Sequence, residues 1–175
     1  MMPEPLPTFP YHPDPVATGS VAPSDEPCAC CGRIRGYVYV SSIYATEPPP
    51  GRLCPWCIAS GEAARRFHAE FSEPPDGMPE SVKDAIAHRT PGYASFQQER
   101  WQTCCDDACE YHGAAPKHEI RRLDPHDLAR IAQKTAYPIN SLAQVAQSYD
   151  VGGNPCIHKF VCRHCRRVHY DVDGT

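Results

Sequence analysis

This 175-residue chain has no run of apolar residues long enough to cross a bilayer, which takes about 20 in succession, so a membrane-spanning protein is not expected. It also lacks a basic excess. Seventeen Lys and Arg stand against 21 Asp and Glu, a formal net charge of −4. Affinity for nucleic acid rests mainly on neutralised phosphates, so a polyanion is a poor partner for the whole chain. The segment Met1-Met2-Pro3-Glu4-Pro5 has neither the basic stretch nor the apolar stretch of an export signal, and the expected compartment is the cytoplasm. There is no internal repeat beyond paired cysteine knuckles. Hydrophobic residues make up only 41%, a small supply for a core that must hold this length of chain together unaided.

What the chain does have is 20 prolines and 11 cysteines. Thiols in a reducing compartment are expected to bind metal rather than form disulfides. Four close pairs stand out: Cys28 with Cys31, Cys54 with Cys57, Cys105 with Cys109, and Cys162 with Cys165. Two thiolates separated by two residues can reach one zinc ion from a single tight turn. The expectation is therefore two structural zinc ions, each held by four cysteines.

The first set has the layout of a zinc ribbon. Between its knuckles Tyr37-Val38-Tyr39-Val40 alternates as a strand, Ile43-Tyr44 continues it, and Glu47-Pro48-Pro49-Pro50-Gly51 breaks the chain. Cys30 competes with Cys31 as ligand; Cys31 is favoured because Gly32 behind it frees the turn. The second set joins distant segments. If Thr103 to Tyr111 is helical, Cys105 and Cys109 share a face, and the Cys162-Cys165 knuckle would pin a C-terminal hairpin to them. Cys104, His112, His158, His164 and His169 are competing ligands, and the alternative is that Cys104, Cys105 and Cys109 are core thiols of a helix.

Helices are expected from Ser60 through Phe67 and Phe71, after Pro79 around Val82, Ala85 and Ile86, from Asp124-Pro125 through Leu128 and Ile131, and around Leu142, Val145, Ala146 and Tyr149. The fold class is then α+β in a single domain: an extended proline-rich arm (1–24), a zinc-ribbon β-hairpin (25–60), a helical middle (61–155), and a second zinc-pinned knuckle and hairpin (156–175). Arg163, Arg166 and Arg167 form the only local basic cluster, which a zinc-knuckle rim explains more simply than a nucleic-acid site. His12 and Asp14, with His112, are the residues a metal-dependent hydrolase would use. Closed four-cysteine sets argue against a catalytic metal, and no enzyme activity is expected.

The motifs Leu6-Pro7-Thr8-Phe9-Pro10-Tyr11-His12-Pro13-Asp14-Pro15, Cys28-Ala29-Cys30-Cys31-Gly32, Cys54-Pro55-Trp56-Cys57, Arg89-Thr90-Pro91-Gly92-Tyr93 and Phe160-Val161-Cys162 resemble the CbrC family of bacterial proteins. The chain departs from that pattern at Cys104 and Arg166, where a histidine and a glycine are usual. The resemblance implies tolerance of a colicin, a DNA-cleaving toxin. Together with the acidic charge it points to a protein partner, a basic nuclease toxin, met by some of Asp76, Glu80, Asp84, Glu99, Asp106, Asp107 and Glu110.

Overall fold

The computed structural model describes residues 4–135 and 137–174. The arm does not simply lie across a finished domain. Val21–Pro23 (β1) pairs antiparallel with Tyr37–Tyr39 (β2), matching Val21 to Tyr39 and Pro23 to Tyr37. Before that strand, Phe9 enters a first apolar core with Tyr39, Leu53, Ile58 and Phe71, and Tyr11 enters a second.

The second knuckle opens directly into Pro55–Ala59 (α1), with Cys54 as N-cap and proline at the first turn, where its missing N–H costs nothing. Glu62–Phe67 (α2) follows. The helix expected to run from Ser60 to Phe71 is thus shorter, because Gly61 at φ 72° starts it and His68 at φ 47° ends it, both left-handed. Phe71 is fully buried nonetheless, outside the helix. Glu80–Arg89 (α3) is the helix expected after Pro79.

The remaining elements form the second half. Thr103–Cys104 (β3) and Asp107–Ala108 (β4) make a two-residue hairpin, and Glu110–Ala114 (β5) leads on to the short Lys117–Ile120 (α4). The helix expected over 103–111 is not formed; those residues are strand and turn. Pro125–Thr135 (α5) and Ile139–Ser148 (α6) are the third and fourth expected helices. Cys156–Val161 (β6) and Val168–Asp173 (β7) complete an antiparallel sheet in the order β5-β6-β7. A third core, built on Ile120, Ile131, Leu142, Ile157 and Val172, packs α5 and α6 on that sheet. The architecture is α+β, small antiparallel hairpins among short helices. Among the described residues no helix is long and apolar enough to cross a membrane.

Candidate metal centres

In the first centre the two knuckles lie side by side, Ala29 N–H donating to Arg52 C=O at 2.8 Å, while Tyr39 of β2 pairs with Leu53. The sulfurs of Cys28, Cys31, Cys54 and Cys57 lie within 4.8 Å of one another. Cys28 is 3.9 Å from Cys57 and Cys31 is 3.9 Å from Cys54. A regular tetrahedron of ligands about 2.3 Å from its centre has edges of about 3.8 Å, whereas a disulfide would hold sulfurs at about 2.05 Å. The donors therefore fit a single tetrahedral ion, and Cys31 rather than Cys30 takes the fourth corner.

The electrostatics agree with a site built for a cation. Burial raises a thiol, yet the amides of Cys31, Cys54 and Cys30 direct hydrogen bonds at the Cys28 sulfur and hold it down at about 7. Burial pushes Cys54 up to about 11, and burial with the neighbouring sulfurs drives Cys57 further up. Without a metal, the Cys28 thiolate is tolerated while Cys54 and Cys57 resist ionising, because they are buried and like charges would crowd one point. A divalent ion removes that obstacle, and its binding would release protons.

In the second centre the four sulfurs within 4.8 Å are those of Cys104, Cys105, Cys162 and Cys165. Cys104 lies 3.8 Å from Cys105 and 3.6 Å from Cys165, again tetrahedral edges. This corrects the expected set: Cys104 stands in the place assigned to Cys109. Cys109 is fully buried in the second core, its thiol pushed up to about 12 chiefly by burial. The reason is the turn. Cys105 and Asp106 have φ 56° and 57°, the two left-handed residues of a type I′ hairpin loop, which folds Cys104 and Cys105 onto one point.

The Cys28 knuckle of the first centre and the Cys162 knuckle of the second share a backbone plan. Gly32 N–H donates to Cys28 C=O at 2.7 Å and Cys28 N–H to Arg33 C=O at 2.9 Å; Arg166 N–H donates to Cys162 C=O at 3.1 Å and Cys162 N–H to Arg167 C=O at 2.9 Å. Arg166 holds the left-handed conformation, φ 61°, that Gly32 holds at 70°. Against burial, amides of Cys165 and His164 pull Cys162 down to about 6, as in the first knuckle.

Asp107, with no motif to mark it, ties the halves of the second centre together. It accepts hydrogen bonds from Tyr11 at 2.8 Å, Arg163 at 2.9 Å and His164 at 2.9 Å. Burial works against its charge, but the bonds from His164 and Tyr11 and the Arg163 charge hold it below the usual carboxylate range. Arg163 also lies over the Tyr11 ring, and Arg166 pairs with Glu110 at 3.1 Å. Two of the three clustered arginines are therefore paired with acids.

The residues of the hydrolase reading, His12, Asp14 and His112, belong to neither metal centre. His12 is fully buried: Pro91 C=O can only accept, so Nδ1 carries the proton at 2.7 Å, and the Thr18 hydroxyl donates to Nε2 at 2.6 Å. Burial lowers it to about 4, a neutral structural histidine. Asp14 caps Ala17 N–H at 2.9 Å, and His112 pairs with Glu110 at 2.9 Å, so the three residues of the hydrolase reading each have separate work. Glu99 and Asp107 are buried, which removes both from the proposed acidic contact surface. Glu99 instead receives Ser72 O–H and Tyr93 N–H at its two oxygens.

A family model described as "Uncharacterised protein family (UPF0167)" matches residues 6–174. The UPF0167 protein PA1536 of Pseudomonas aeruginosa is 47% identical over 176 residues, 98% of each chain. The UPF0167 protein Mb2317 of Mycobacterium bovis is 36% identical over 169 residues, covering 93% of this chain and 90% of its own. A UPF0167 protein of Mycobacterium tuberculosis gives the same figures. These names are not the CbrC name that the motifs resemble. No solved structure matches.

Proposed function

The chain belongs to the uncharacterised protein family UPF0167, and from that premise we propose a two-zinc protein whose metals hold a surface in shape for binding another protein. The observation that carries the metal reading is the pair of sulfur tetrahedra. Four soft thiolates at tetrahedral spacing suit zinc and exclude hard ions such as magnesium and calcium. Cys28, Cys31, Cys54 and Cys57 would hold one ion, and Cys104, Cys105, Cys162 and Cys165 the other. Bound there, zinc supplies cross-linking between distant segments; with four thiolates each centre is closed to water.

The partner reading rests on charge and on the CbrC resemblance. The net charge is −4, and each filled four-thiolate site adds about −2. Such a cytoplasmic protein attracts basic partners over long range, and a DNA-cleaving toxin must be basic to bind its substrate. Asp76, Glu80, Asp84 and Asp106 are the exposed acids of the expected contact set. The pairing of Arg163 and Arg166 with carboxylates disfavours nucleic acid as partner.

Elemental analysis of the protein purified under reducing conditions should find two zinc ions per chain, and less than one would remove the metal reading. Charge reversal at Asp76, Glu80 and Asp84, which lie outside both metal centres, should slow association with a colicin-type nuclease while zinc content is unchanged. Full protection of cells by the reversed variant would sink direct neutralisation and leave the zinc fold standing.

A further inference from the structure

A cavity of about 320 Å³ lies between the β6 and β7 ends of the sheet and residues 94–96, away from both metal centres. Cys156 and His158 sit two apart on β6, hence on one face, and Asp173 on β7 is registered opposite Cys156. His158 Nε2 is 3.4 Å from Asp173 Oδ2, and His158 Nδ1 is 3.9 Å from Cys156 Sγ and 3.1 Å from Tyr111 Oη. All four residues are buried and line the cavity. Asp173 is itself held by the N–H groups of Phe96 and Gln97.

We propose that Cys156, His158 and Asp173 form an acyl-transfer site, with Cys156 as nucleophile, His158 as general base and Asp173 as positioning residue, acting on small uncharged carboxylic esters or thioesters. The hydrogen bonds assign the tautomer. A carboxylate can only accept, so His158 carries its proton on Nε2 and leaves Nδ1 as the acceptor, taking the Tyr111 O–H at rest with the Cys156 thiol next in reach. Burial keeps His158 below the usual imidazole value despite the pull of Asp173, and burial with the Asp173 charge pushes Cys156 up to about 11. The resting pair is therefore neutral thiol and neutral imidazole, the arrangement that needs a base within reach.

The step balances without a further reagent. Cys156 Sγ bonds to the acyl carbon as its proton passes to His158 Nδ1; the bond to the alcohol or thiol breaks, and that proton leaves with it. Water then attacks the Cys156 thioester, His158 takes a proton from the water and returns one to Sγ, and the acid departs. When Nδ1 is protonated it no longer accepts from Tyr111, whose O–H becomes available to the oxyanion. Ala94, Phe96, Ala114 and Gly152 give the cavity apolar walls, and no Lys or Arg is among the residues lining it. That favours an uncharged acyl group over one bearing phosphate or a free carboxylate.

The test uses the reduced, zinc-loaded full chain with p-nitrophenyl acetate, reading nitrophenolate release and the acylated peptide by mass spectrometry. Acyl on Cys156 is expected, with the rate falling at least about 100-fold in C156A and H158Q. D173N should lower the rate and move its pH profile, which a merely structural carboxylate would not do. C156S preserves volume should C156A lose its fold. Zinc content and thermal midpoint report the metal reading separately, so either can fail alone. A rate in C156S or C156A equal to wild type, or acyl found only on other cysteines, overturns the proposal.

Discussion

Glu99 is a buried carboxyl whose environment works against its charge. Burial raises it to about 7, against the hydrogen bonds from Ser72 and Tyr93 that favour the ionised form. The folded state thus holds a proton that the unfolded chain gives up near 4.5. Stability from this group is complete below the unfolded value and is lost as pH rises through about 7. At about 1.4 kcal/mol per unit, the loss by pH 8 is roughly 3 kcal/mol. Glu99→Gln, with zinc bound, should be the more stable protein at pH 8 and should flatten that slope in parallel denaturant titrations. Arg166 makes a second case. An L-residue in the left-handed region costs about 1–2 kcal/mol, partly offset in Arg166→Gly by the larger entropy of glycine. The exposed pair with Glu110 is worth little. Arg166→Gly should melt at or slightly above the wild-type temperature; a clear drop would mean that the arginine contact matters more than the backbone.

At the scale of elements, the β3–β4 hairpin decides which sulfurs meet. Cys104→Ser should release one zinc ion per chain, whereas Cys109→Ser should keep both; elemental analysis of the two variants separates hairpin from helix. Local signals in the chain were reliable where local forces set the outcome. The Cys28 and Cys54 knuckles, the Tyr37–Tyr39 strand and helices α3, α5 and α6 follow from spacing and periodicity. The hairpin was hidden because neither Cys105 nor Asp106 is glycine, the residue that marks a left-handed turn most plainly. Adjacent cysteines followed by two aspartates were the one available hint. Asp107, and the meeting of Cys156 and His158 with Asp173, depend on strand register between segments far apart, which no single stretch encodes.

Across the whole molecule the two centres differ in access. Cys28, Cys54 and Cys57 are buried, whereas Cys105 and Cys165 are exposed. A chelator should therefore draw out zinc in two phases, the second centre first, followed by a colorimetric zinc indicator alongside circular dichroism. Loss of the first centre's metal should bring the larger loss of structure, since structural zinc contributes on the order of 10 kcal/mol of binding-coupled folding energy.

The arm adds a consequence in time. Tyr11 bonds to Asp107, 96 residues later, and its carbonyl receives Tyr111 N–H at 2.8 Å. On a ribosome making about 5–20 residues per second, Tyr11 emerges many seconds before either partner exists. The first core can gather early, since Phe9, Tyr39, Leu53 and Phe71 are made close together. The second must wait for β5 and β6, and until then the tyrosine stays in solvent, where a nascent-chain chaperone can reach it.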